Sequence, residues 1–346
     1  MKPWRLRMKP LNGVEISLLI ILLIKDHCHF IFFYIMSLSI PGAIANEPLK
    51  YKKLKTPTVA EGLFKLHTLA AFIGPRGSGK TNAAVLLARR YLDDGSINRI
   101  FIISPTYDSN RIFELLDPAP EDVYKNIHTC LPDLDAILQQ VKQMAAEYEE
   151  YKEYMKILKK WKQYEKGKGP ALLIKEFNLL ENNQFKPLPY LPRPSPLLII
   201  DDMSHSDIYT PSKKNNFINL CLRHRHLFKV GISIFMLVQT FKTGIPKCLR
   251  QNIQQFFLWP THDMSQLDAM YDEFANLCTY EDFIHMFQKC TAERHNFMTI
   301  DLNASEPLLQ FRKCFDEMIL PPSKLDESEL AEITNSQKRK RDRSHA

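Results

Sequence analysis

A chain of 346 residues, 45% hydrophobic and 25% charged, has room for one large domain or two modest ones and enough apolar side chains to exclude wholesale disorder. With only 11 glycines it is neither collagen-like nor a glycine-linker protein. The net charge of +7 sits at the two ends, in Lys2, Arg5, Arg7 and Lys9 and in KRKRDR at 338–343, so global basicity carries no argument for nucleic acid. The seven cysteines are scattered and form no C-x-x-C, which points to a reducing compartment with neither a disulfide framework nor a zinc site.

In chain order, the basic start is followed by ISLLIILLI (16–24), by FIFFYIMSLSI (30–40) and by AIA at 43–45. Residues 1–45 therefore read either as an apolar leader directed to a membrane or as an extension ahead of a start at Met36. Each apolar run is shorter than the roughly 18–20 residues that span a bilayer. The main domain is expected over 46–320, followed by a polar, disordered basic tail over 321–346, whose KRKRDR suits nuclear import or a nucleic-acid-binding arm.

TLAAFI (68–73) is too short for a helix and suits a buried strand. It runs directly into Gly74-Pro75-Arg76-Gly77-Ser78-Gly79-Lys80-Thr81, a full G-x4-G-K-[ST] match, and then into NAAVLLARRYL with helical spacing. Glycines let successive backbone N–H groups converge on an anion, and the helix N-terminus adds partial positive charge at the same spot. Lys80 then reaches the β- and γ-phosphates of ATP, and Thr81 offers its hydroxyl to Mg2+.

NRIFIIS (98–104) is a second strand, and Ile127–Cys130 a weaker one. From Ile137 the apolar residues recur as Ile137, Val141, Met144, Tyr148, Tyr151, Met155 and Leu158, a 4-3 alternation that predicts a coiled-coil-like helix or the first arm of a helical hairpin, inserted over 133–168. Five prolines over 181–196 predict an extended approach to the next strand. That strand, PLLII (196–200), ends in Asp201-Asp202. Asp201 is read as the Mg2+ ligand and Asp202 as the base that activates the attacking water. Adjacent carboxylates repel unless a cation compensates. An extra acid beside the metal ligand also marks the ATPases with a further strand between the phosphate-loop strand and the acidic strand.

KVGISIFMLV (229–238) fits that further strand and ends in Gln239, read as a sensor of the γ-phosphate and of the water. QFFLW (255–259) gives one more strand, and 296–302 with 308–315 a closing hairpin or edge strands. Between Asp207 and Asp263 there is no acidic residue, while Lys213, Lys214, Arg223, Arg225, Lys229, Lys242, Lys247 and Arg250 are all basic. Such a window suits arginine fingers reaching a neighbouring subunit, with Arg225 and Arg250 as unranked candidates, or a channel lined for the phosphates of DNA. His224 and His226 have too many basic neighbours to read as a metal pair. Strands alternating with helices predict an α/β fold, a P-loop NTPase of the ASCE type: a mostly parallel sheet flanked by helices, with the site at the strand carboxyl ends.

The ordered set GPRGSGKT, NRIFIISPT, PLLIIDDM, LRHRH, a strand ending in QT, and IPKCLRQN before an aromatic strand resembles the viral genome-packaging ATPases of the poxvirus type, in the FtsK–HerA superfamily, over residues 60–315. They occur in nucleocytoplasmic large DNA viruses, virophages and polinton- or adintovirus-like elements. The resemblance implies a homo-oligomeric ring motor that hydrolyses ATP with Mg2+ and drives double-stranded DNA into a capsid. Its partners would be capsid or portal-like vertex proteins, and its setting a virion, a viral factory, or the host nucleus or cytoplasm. It assigns Gly74 to Thr81 to nucleotide, Thr81 and Asp201 to metal, and Lys80, Asp202, Gln239 and Arg225 or Arg250 to catalysis. The apolar leader has no counterpart in the family pattern. A helicase-like ATPase, for which the SPT at 104–106 speaks, and an inactive integrated copy that only binds DNA or capsid are the alternatives.

Overall fold

The computed structural model describes residues 4–7, 15–20, 35–39, 56–116, 128–130, 134–203, 207–209, 215–261, 263–306 and 309–324. The basic tail motif, Lys213 and Lys214 lie outside them. The chain divides into two units, residues 1–53 and 54–346. In the first, β1 (Trp4–Arg7), β2 (Glu15–Ile20) and β3 (Ile35–Ser39) pair antiparallel in sequence order, so parts of both apolar runs lie in strands. Among the described residues no helix is long and apolar enough to cross a membrane.

Among the described residues, the second unit is built on a nine-stranded sheet. Six strands run parallel: β4 (Leu69–Ile73), β5 (Arg99–Ile103), β6 (His128–Cys130), β7 (Pro196–Asp201), β8 (Ser233–Val238) and β9 (Gln255–Leu258), in the spatial order β9-β4-β8-β7-β5-β6. Every residue of β4, β7, β8 and β9 is buried, as expected of strands covered on both faces. β8 lies between β4 and β7, pairing Ile73 with Val238 on one side and Asp201 with Leu237 on the other. This is the additional strand that the twin aspartates predict, and the α/β fold class is the one expected. Three antiparallel strands close the β9 edge: β10 (Met298–Asp301), β11 (Phe311–Lys313) and β12 (Glu317–Met318). The closing hairpin is thus present, with β12 added.

Alternate residues of each strand feed two cores. On one face, Ala70, Phe72, Ile100, Ile102, Leu197 and Leu237 pack with α1 (Lys80–Asp93), the 3-10 turn at 111–116, and Phe64 and Phe315. On the other, Leu69, Ala71, Phe101, Leu198, Ile200 and Met236 pack with the start of α2 (Leu134–Glu165), with α4 (Asn216–Arg223), α5 (Lys247–Arg250), α6 (Met264–Tyr271) and α7 (Tyr280–Thr291).

The insertion helix differs from the expected seam. Ile137, Val141 and Ala145 are buried on the sheet-side core, whereas Tyr154, Ile157 and Leu158 are buried against Leu180 of α3 (Ile174–Asn182) in a small separate core. At 100° per residue these two buried faces are more than a third of a turn apart. A straight helix that serves two partners in succession has no reason to keep a 3.5-residue seam. Met144, Tyr148, Tyr151 and Met155 are half-buried. α2 is therefore the first arm of a hairpin, and an extended proline-rich run returns the chain from α3 to β7.

Candidate functional site

β4 delivers the chain to the glycine loop at the carboxyl edge of the sheet. Gly77 at φ 76° and Gly79 at φ 97° adopt left-handed backbone that other residues resist, which turns the loop back into α1. Gly79 is the N-cap of α1. No side chain caps this end, and the first turn holds no acid. Its amide groups thus retain their capacity to donate to an anion. Gly74 is crowded on its other side, since a Cβ there would lie 2.5 Å from Trp259 Cβ. The Gly74 amide also donates to Val238 O at 3.2 Å, fastening the loop to the end of β8.

Five side chains predicted from three separate segments meet here. Thr81 Oγ1 donates to Asp201 Oδ2 at 2.9 Å, across 120 residues of sequence. Gln239 Nε2 donates to Asp202 Oδ1 at 2.9 Å. Lys80 is buried and its Nζ donates to Pro75 O at 2.9 Å, inside the loop. Burial lowers the Lys80 pKa, an effect opposed by the charges of Asp201 and Asp202. Burial pushes the Asp201 carboxyl up, against the Thr81 hydrogen bond and the Lys80 charge. Asp202 is exposed, with a left-handed φ of 54°, so the chain leaves β7 sharply and its two carboxylates face different surroundings.

These residues line a cavity of about 310 Å³ with Arg76, Gly77, Thr106, Ser109 and Asn110. The last three belong to the turn after β5. None of the three is among the site residues expected from the sequence, although a polar cluster at the end of a strand next to the acidic strand is a usable signal. Pro75 and Arg76 also line a neighbouring cavity on the β9 side. A larger cavity of about 770 Å³ lies between α2 and Pro189–Pro194, at the opposite end of β5. It has neither a glycine turn nor a helix N-terminus, so size alone does not locate the chemistry.

The donor set fits a triphosphate with Mg2+. Hydroxyl and carboxylate oxygens from Thr81 and Asp201 are the hard donors that Mg2+ takes. The hydroxyl of Ser78 is buried in the middle of the loop without a hydrogen-bond partner, 3.1 Å from where a Cβ on Gly74 would sit, and does not line the cavity.

The two arginine candidates are not brought to this cavity. Arg225 is exposed in the turn at 224–229 that precedes β8, the far end of that strand from Gln239. Arg250 turns inward: its Nε donates to Ile245 O at 3.0 Å, its Nη2 donates to Lys242 O, and its guanidinium lies over the Phe241 ring at 4.7 Å. It braces its own loop. Of the other window residues, Arg223, Lys229, Lys242 and Lys247 are exposed.

Neither a protein-family model nor a curated protein matches the chain. Among solved structures it is similar to the DNA-packaging ATPase B204 from Sulfolobus turreted icosahedral virus, with 12% identity over 72% of this chain and 98% of that one and a TM-score of 0.42. It is also similar to the genome packaging NTPase B204 from Sulfolobus turreted icosahedral virus 2 in complex with ATP-gammaS (11% identity, 75% and 100% covered, TM-score 0.42). The pCW3 conjugation coupling protein TcpA is a further likeness (12% identity, 96% and 94% covered, TM-score 0.38). The fold assignment rests on the strand order and the loop geometry described above.

Proposed function

We propose that the chain is an ATPase whose hydrolysis drives double-stranded DNA into a capsid. The observation that carries the ATPase reading is the meeting of Thr81 with Asp201 and of Gln239 with Asp202 around one cavity at an uncapped helix N-terminus. Such an assembly serves phosphoryl transfer to water. The amide groups of the loop and of the start of α1 hold the phosphates. Lys80 exchanges Pro75 O for phosphate oxygens, a change of acceptor that keeps its charge in use. Thr81 and Asp201 hold Mg2+, which when bound neutralises charge on the β- and γ-phosphates. Asp202, exposed and held through one oxygen by Gln239, keeps its other oxygen to accept a proton from the attacking water. Gln239 keeps a second N–H and its carbonyl oxygen to orient that water.

DNA as the moved substrate and a ring of identical subunits are supported by the ordered motif set and by the acid-free window that follows β7. Within that reading Arg225 is the better finger. It is exposed and a β-strand's length from its own cavity, so it acts on a neighbour or not at all, whereas Arg250 would first have to leave two carbonyls. Capsid vertex proteins as partners, and a viral factory or nucleus as the setting, belong to the same proposal.

Purified protein should hydrolyse ATP faster with linear duplex DNA than without. Lys80→Ala should abolish both rates. Mixing Arg225→Ala subunits into wild type should inhibit more than dilution accounts for. Absence of hydrolysis with and without duplex would end the motor reading. Strand separation on a forked duplex would move it to the helicase alternative.

A further inference from the structure

The loop joining α7 to β10 belongs to the antiparallel edge of the sheet and to no motif singled out from the sequence, yet it touches the phosphate loop. His295 Nδ1 lies 3.2 Å from Ser78 O, 217 residues away in the chain. A carbonyl oxygen only accepts, so Nδ1 carries the proton and donates. The same ring lies over Gly79: a Cβ built there would sit 3.4 Å from Nδ1 and 3.7 Å from His295 Cβ. The two residues that His295 meets are thus the serine of the loop, itself half-buried, and the left-handed glycine that caps α1.

His295 is itself held in an unusual conformation. Its φ is +68°, left-handed backbone that a non-glycine residue keeps only where its neighbours enforce it. Trp259 Nε1 donates to His295 O at 3.2 Å, and the Trp259 ring packs on Phe297 with centroids 4.4 Å apart. The Trp259 amide in turn donates to Ile73 O, the last residue of β4. A continuous set of contacts therefore runs from the end of β4 through Trp259 to His295 and back to the phosphate loop that β4 feeds.

We propose that His295 is a positioning residue for the phosphate cradle: by donating to Ser78 O from a strained turn, it fixes the peptide between Ser78 and Gly79 so that the adjoining amide groups point at the anion. An unbraced glycine-rich loop samples many backbone states, and ordering it on binding costs affinity. The bond from β10's entry loop removes part of that cost in advance. The inference rests on the nucleotide reading of the site and deepens it.

The test is binding of MgATP and, separately, of magnesium tripolyphosphate to the full chain, alongside the melting temperature without ligand. His295→Gly keeps the left-handed backbone and removes the donor. His295→Asn keeps both, since Asn tolerates positive φ and its Nδ2 stands where Nδ1 stood. We expect His295→Gly to weaken both ligands roughly five- to tenfold with the ligand-free melting temperature maintained, and His295→Asn to restore both affinities. Weakening of MgATP alone would overturn the proposal, because the side chain would then be meeting the nucleoside. Unchanged binding, no rescue by Asn, or a parallel fall in melting temperature would overturn it as well. Wild type that binds neither ligand overturns the nucleotide reading together with this one, whereas wild type that binds beside an unaffected His295→Gly variant removes only this one.

Discussion

The two ends of the parallel strands solve opposite problems with the same kinds of side chain. At the carboxyl ends, Lys80, Thr81, Asp201, Asp202 and Gln239 bond to one another or to the loop, and each bond is to a group that a ligand can replace. At the amino ends, His67 and His224 are sealed. The His67 amide donates to Ser233 Oγ at 2.9 Å, and its ring presses on Gly231, where a Cβ would fall 2.5 Å from the imidazole. His224 Nδ1 meets Cys221 O at 2.6 Å, and both Nε2 atoms are buried without a hydrogen-bond partner. Burial first, then the positive charges of Arg193 and the neighbouring histidines, lower the His67 pKa to about 4. Polar groups at the first edge are satisfied provisionally, and those at the second are kept neutral by packing. Exchange of partners belongs to the first edge and permanence to the second.

That contrast can be broken at either end. The largest effect is expected from Asp202→Asn, which removes the proton acceptor and leaves the cradle intact. Turnover should fall about 10²–10⁴-fold with nucleotide binding preserved, measured by steady-state hydrolysis and by titration. Equal loss of binding and turnover would mean that Asp202 holds the ligand rather than activating water.

The next effect belongs to the sealed edge. Because the folded pKa of His67 lies below its unfolded value, the unfolded chain takes up the proton first. Stability should be fully present above about pH 6.5 and be lost as pH falls towards 4, by up to about 3 kcal/mol. Urea unfolding at several pH values reads this, and His67→Gln should flatten the profile. A smaller loss, about 2 kcal/mol, is expected from Gly231→Ala, which combines a φ of +78° with collision against the His67 ring. Its hydrolysis rate below the melting temperature should not change, since the site is at the other end of β8.

The smallest effect on stability, and the most diagnostic, is expected from Asp201→Asn. Burial raises the pKa of this carboxyl, so its charge opposes folding in the absence of ligand. The variant should melt slightly higher than wild type while losing magnesium-dependent hydrolysis. A lower melting temperature would place Asp201 among the structural groups.

The phosphate loop, its strand and helix, the acidic strand and the polar end of β8 were legible because each depends on local spacing: glycine positions, apolar runs of strand length, and the residue that follows the run. The helix over 280–291 was not read, although Thr279 caps it by accepting from the Asp282 amide. The 4-3 stripe of α2 was legible as a helix but misleading as a seam, since a stripe reports amphipathicity and not which partner each turn meets.

The amino-acid sequence alone therefore determined most of the strands, the helix after the glycine loop, the insertion helix and the side chains proposed for phosphate chemistry, because backbone sterics and hydrophobic period act over a few residues. Tertiary structure decided who meets whom. It joined Thr81 to Asp201, Gln239 to Asp202 and His295 to Ser78, turned Arg250 onto its own loop, and left Arg225 at the far edge. Those outcomes depend on strand order, and strand order is settled by how two faces of one sheet are covered at once, which no local window of sequence contains.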